Sequence, residues 1–227
     1  MQASPPSTAP EPLARLLLQW GVAPVPATPV APRLGGWLGW ADAIGLSQVL
    51  ATPPASGVNA AAAEEARRWA AAALERLHSD LANAFDDALL ARDAAEPAPD
   101  GVSLADLLAP FRLHHAQQQR LMAARIATLR ERLRPHLADA SGTGMRLAQL
   151  DAVIEHATLA AEKQALAGLA TLLTRRAEAH HAADARGWRL PFWADLQRLL
   201  RAELDLRLQP VLGLMDSLEA LHQADSP

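Results

Sequence analysis

Apolar residues return along most of the chain at helical spacing. Leu74, Leu77, Leu81, Phe85, Ala88 and Leu89 mark one stripe, which predicts a long helix from a cap at Asn59 to about Asp93. Leu108, Phe111, His115, Met122, Ile126, Leu129, Leu133 and Leu137 mark a second. Ser103 and Asp106 open that helix as a capping box with Asp in place of Glu, and Pro110 either kinks it or marks its true start. Leu147, Leu150, Ile154, Ala157, Ala161, Leu169 and Leu172 make the seam of a helix over 145–183, about 57 Å long at 1.5 Å per residue. Pro191 opens a last helix to about His222, with a kink expected at Pro210. Leu204, Leu206 and Leu208 alternate like a strand, but their flanks keep helical spacing and a lone strand would lack a partner.

Two shorter helices precede these. One runs from Pro12 to Trp20 and stops at Gly21; the other spans 34–50. Prolines at 24, 26, 29 and 32 forbid helix between them and predict an extended strap. Breaks are expected at 52–58, 96–101 and 139–144, where Pro, Gly, Ser and Asp gather. The fold class is therefore all-α: an antiparallel bundle of about four long helices plus shorter N-terminal helices and a proline-rich N-terminal strap. The division is a flexible arm with its short helix and strap at 1–32, and a helical bundle domain at 33–227.

Composition supports helix. Half of the residues are hydrophobic, chiefly Ala and Leu, and aromatics are 4%. Twenty of the 21 basic residues are Arg, a bias that goes with high-GC bacterial genomes. The net charge of −4 gives no general pull toward nucleic acid or anionic membrane. Without cysteine there is no disulfide frame, thiolate nucleophile or Cys-based zinc site, and a reducing cytoplasmic setting is compatible. No secretory signal is evident, and the run 34–50, interrupted by Asp42, is short for a membrane span. Residues 59–94 carry four basic and seven acidic side chains, whereas 103–138 carry six and two, which suggests that these two helices pair.

Candidate chemistry is sparse. In RLGGWLGWADAIGLSQVL (33–50), Gly35 and Gly39 form a G-x-x-x-G that Ala41 and Gly45 continue. Such rows admit a second helix closely. Each glycine costs a helix roughly 0.8–1.0 kcal/mol, and close packing is the compensation. Trp37 and Trp40 lie on adjacent faces beside Asp42. The helix is read as part of the core, as a partner surface anchored by the tryptophans, or as membrane-inserting, which Asp42, Ser47 and Gln48 oppose. Glu75-x-x-His78 and Glu219-x-x-His222 match the i, i+3 pair of di-iron bundles. Glu75 lies to the side of its stripe and His222 near a helix end, so no metal or cofactor is expected. His115 with Gln118 or Gln119 reads as a polar layer that sets helix register, or as a pH-sensitive switch. Arg112, Arg120, Arg125, Arg130, Arg132 and Arg134 scatter around their helix and accompany no nucleic-acid motif, so no nucleic-acid partner is expected. No Walker loop, G-x-S-x-G or H-E-x-x-H occurs, and no catalytic residue is assigned.

The segments RLLLQWGV (15–22), RLGGWLGWADAIGLSQVL (33–50) and RAELDLRLQPVLGLMDSL (201–218) resemble a bacterial family of uncharacterised all-helical proteins that carry a domain-of-unknown-function label. The specific parts are the WLxWxDAIxLS and ELDLRLQPV runs; the helices between match in character only. The resemblance implies no catalytic residues. It implies gene neighbours that encode proton-channel subunits like those of the flagellar and Tol-type motors and a partner like outer-membrane protein A, and hence a cytoplasmic accessory of an envelope motor complex. Gly39 and Ala41 depart from the pattern, which has more polar residues there.

The function expected is a non-catalytic adaptor or assembly protein that binds a protein partner. Its expected contacts are Gly35, Trp37, Gly39, Trp40 and Asp42 in one helix, and Glu203, Asp205 and Arg207 in another. Homo-oligomerisation through coiled-coil-like Ala- and Leu-rich seams is a further reading, as is peripheral association with a membrane complex. The competing class is a metal-binding protein or other small-molecule enzyme with Glu and His side chains converging inside the bundle.

Overall fold

The computed structural model describes residues 12–23, 39–51, 53–54 and 57–224, with side chains as far as residue 220. The helices are α1 (Pro12–Gln19), α2 (Trp40–Ala51), α3 (Ala60–Phe85), α4 (Ala88–Ala95), α5 (Leu104–Ala140), α6 (Gly142–Ala183) and α7 (Arg189–Ala224). Among the described residues there is no strand, only an isolated bridge between Val58 and Ser141. The strap at 24–32 and the segment 34–38, including Gly35 and Trp37, lie outside the described residues.

The four long helices run alternately up and down. Phe85 at the end of α3 meets His114 of α5, and Asn59 before α3 meets Ala140 at the far end, so the two are antiparallel. Arg176 and Glu162 of α6 meet Asp195 and Arg207 of α7 in the same sense. α5 and α7 form the inner diagonal and α3 and α6 flank them; α1 and α4 lie on α7, and α2 lies on α6. The α5 stripe is buried at all eight expected positions. Burying one such Leu contributes about 1.5–3 kcal/mol. The chain's three Phe residues are all fully buried, and Phe111 meets Phe192 edge-on at 5.5 Å beside Trp188 and Trp193.

Several boundaries differ from the sequence-based expectation. The helix expected to reach Asp93 stops at Phe85. Asp87 restarts it as α4, accepting the amides of Leu89 and Leu90 at 2.9 and 3.0 Å. Beyond this break the register rotates, and Ala88 and Leu89 face solvent. The loop expected at 139–144 shrinks to one extended residue, Ser141, whose Oγ accepts the Gly144 amide at 2.9 Å. The α6 seam holds at Ala157 and Leu169 but shifts elsewhere: Ala148 and Asp151 are buried while Ile154 is exposed. α6 has three helix neighbours, α5, α7 and α2, so its apolar residues do not mark a single line. α1 is packed, with Leu13 and Leu16 in the core. Pro110, Pro135 and Pro210 all lie within helices.

Candidate functional site

Most of the charged side chains buried in the bundle are bound to one another. Glu203 is fully buried and ties three helices. Its carboxylate accepts from Gln119 of α5 at 3.1 and 3.2 Å and from Arg207 of α7 at 2.8 and 2.9 Å. His115 Nε2 lies 3.4 Å away, and Arg207 reaches on to Glu162 of α6 at 2.7 Å. Burial pushes the Glu203 carboxyl up, but the neighbouring His115 ring and the Arg207 charge outweigh it and hold the group below its ordinary value. From sequence alone, Glu203 and Arg207 are expected partner contacts. Glu203 is instead a core residue, and Arg207 holds it.

A second cluster joins α5 to α6. Asp151 accepts from both Arg130 and Arg134, and Glu155 pairs with the same two arginines. Thus Arg130 and Arg134 turn toward α6, while the expected charge pairing of α3 with α5 survives on the surface as Asp80 with Arg125 at 3.8 Å. A third cluster gathers Arg176, His180 and Arg198 around buried Asp195.

The Phe85 carbonyl, left open where α3 ends, is taken by two buried side chains. Gln197 donates to it at 2.6 Å and His114 Nε2 lies 3.1 Å away. His114 has a lowered pKa because burial disfavours its cation, against the smaller opposing effects of Phe85 and Asp87. The unfolded chain therefore binds a proton more readily. The stability that His114 contributes is complete above the ordinary histidine pKa of about 6.5 and is lost as pH falls from there through the folded value. Urea midpoints measured from pH 7.5 down to 5 should fall, and more steeply for the parent than for His114→Gln. Equal slopes would exclude this group.

The outer helix α2 is built differently. None of its residues is buried, and Trp40 is 67% exposed. It runs antiparallel to α6: Gly45 faces Val153, and the Leu50 carbonyl accepts from Arg146 at 2.7 Å. A Cβ on Gly45 would stand 3.5 Å from Val153, an ordinary contact distance, and one on Gly39 would meet only Asp42 of its own turn, so neither glycine is required by a close approach to α6. Asp42 accepts the Gly39 amide at 3.0 Å and so fastens the start of the helix. Trp40, Ala43, Ile44, Ser47 and Gln48 line a shallow exposed depression.

On the opposite side, α3 and α7 leave an open groove of about 650 Å³. Glu75, His78 and Asp205 all lie on it, so Asp205 is the expected contact in α7 that remains available on a surface. Among the described residues no group of three or more His, Asp or Glu is placed to hold a metal ion, and the His222 side chain is outside them. No described helix is long and apolar enough to cross a membrane.

Reasoning from sequence missed His114, Gln197, Asp151 and Asp195 as buried polar residues. The Asp151 cluster had a signal. A hairpin centred on Ser141 sets residues about equally distant from it opposite each other, which matches Arg130 with Asp151; Arg134 and Glu155 each lie one turn from that pair, in opposite directions along the hairpin.

An up-and-down helical bundle with internally satisfied charges and one helix carried outside it is the class of protein that these features define. The chain belongs to the family described as protein of unknown function (DUF3348), whose profile matches residues 1–220. No curated protein and no solved structure matches the chain.

Proposed function

We propose that the protein is a non-catalytic helical adaptor or assembly factor that binds a protein partner through α2. The observation that carries this reading is the exposure of α2. A helix of 12 residues is marginal by itself in water, and among the described helices this one packs chiefly against α6 while presenting Trp40, Ile44 and Leu50 to solvent. Tryptophan exposed beside aliphatic side chains is the usual composition of an interface anchor. A partner that covered this face would bury apolar surface that the bundle leaves wet. The resemblance of the Trp-Gly and ELDLRLQPV runs supports a bacterial cytoplasmic setting and a subunit of an envelope proton-channel complex as the partner.

The test is co-purification from the native cell, with soluble and membrane fractions kept apart, for the parent and for Trp40→Ala/Ile44→Ser. A stoichiometric partner that the variant loses, with melting temperature unchanged, is the expected result. Equal recovery by parent and variant removes α2 as the contact.

A further inference from the structure

The groove between α3 and α7 carries a second and more specific reading. Its floor is apolar, formed by Ala71 and Leu74 of α3 with Leu208, Leu212 and Met215 of α7. Among the described residues its charged lining is Glu75 and Asp205, with no Arg or Lys. Asp216 lies three turns beyond Asp205 on the same side of α7, since eleven residues turn a helix through almost whole turns. Among the described residues none of these three carboxylates has a salt-bridge partner, whereas many carboxylates elsewhere on the bundle are engaged by Arg.

α1 shows what suits the adjoining surface. It seats Leu13 and Leu16, three residues apart, on α7, with Gln19 bonded to Arg198 at 2.8 Å. Its first residue, Pro12, stands at the edge of the groove. Hence a short leucine-bearing helix already lies along the neighbouring stretch of α7, and the groove begins where that helix begins.

The geometry points to this groove as the docking site for an amphipathic helix of a partner protein, one with a leucine row flanked by Arg or Lys. The leucines would meet Leu74, Leu208 and Leu212, and the basic flank would meet Glu75, Asp205 and Asp216. The stretch from Ala71 to Ser79 is about 12 Å long, enough for roughly two turns of the visitor. The inference rests on the adaptor reading and adds to it a second contact with a stated chemistry.

The test uses two fluorescein-labelled peptides and the full chain. Both peptides are three-turn helices with leucines at i, i+3, i+4 and i+7; one carries arginines on the flanks and the other glutamates. By anisotropy the arginine peptide should bind, and the glutamate peptide should bind at least about tenfold more weakly. Glu75→Lys/Asp205→Lys should weaken the arginine peptide by about tenfold or more, and Leu212→Glu should do the same, with melting temperatures within a few degrees of the parent. Equal binding of both peptides, indifference to these substitutions, or no binding up to about 1 mM would overturn the proposal. So would a dimer seen by light scattering that Leu212→Glu dissolves, because the occupant would then be a second copy of this chain. Trp40→Ala is measured alongside. If it abolishes native partner capture but leaves peptide binding intact, the two surfaces are separate; if the peptide binds while α2 captures nothing, the α2 reading fails and the groove stands.

Discussion

Replacing Glu203 by alanine should cost about 3–5 kcal/mol of stability, because it leaves a buried cation without its carboxylate. Arg207 and Gln119 both donate to Glu203, and the other carboxylate that Arg207 holds, Glu162, is exposed rather than in the core. For a chain of this length each kcal/mol is worth roughly 2–4 °C, so the melting temperature should drop by about 10 °C or more. Glu203→Leu combined with Arg207→Met should recover much of the loss, since an apolar pair of similar volume avoids the unpaired charge. If the double variant is as unstable as Glu203→Ala, packing rather than charge is the cause. The pH dependence follows the same logic. The Glu203 carboxyl is held low in the fold, so its contribution is present above the unfolded value of about 4.3 and is lost as pH falls through the folded value. The parent should therefore lose stability between pH 5 and more acidic conditions faster than the double variant.

The second large effect is expected at Gly144. A Cβ there would stand 2.0 Å from the Leu137 carbonyl oxygen, a backbone atom of the preceding helix. With one residue between α5 and α6, the two helices are too close at this point for any side chain. Gly144→Ala should cost about 3 kcal/mol by forcing the hairpin open, and urea unfolding should show it as a lower midpoint. Gly168 is the natural control. It is an exposed glycine within α6, with nothing within 4 Å of the place a Cβ would take. Gly168→Ala should stabilise the protein by roughly 0.5–1 kcal/mol through helix propensity. Similar losses at both positions would show that the hairpin contact is not what limits Gly144.

Opening of the α5–α6 hairpin would also disturb the arginine clamp. Arg130 and Arg134 face Asp151 and Glu155 only while the two helices turn tightly at Ser141. The glycine and the four charges thus act on the same packing, and their variants should not be additive.

The elements themselves were legible because their signals are local. Leu108 through Leu137 repeat at helical spacing and are buried as that spacing requires. Asn59 and Ser103 cap the helices they precede, accepting from Ala62 and Asp106 at 3.2 Å each. The resemblance to an uncharacterised family was likewise legible, and the family profile spans residues 1–220. The places where expectation failed all involve more than one element. α3 ends at Phe85 because its last carbonyl is claimed by His114 and Gln197, residues 29 and 112 positions away. Glu203 reads in sequence as one charge among several in RAELDLR, and becomes a core residue only where α5, α6 and α7 meet around it.

The sequence by itself determined the all-α class, the long helices and their main caps, since periodicity, caps and proline positions act over one or two turns of chain. Only the tertiary structure decided which charges are interior, that α2 rides outside the bundle, and that Glu75 and Asp205 share one groove. Those outcomes depend on which helix faces lie against each other, and that is set by packing the whole bundle at once.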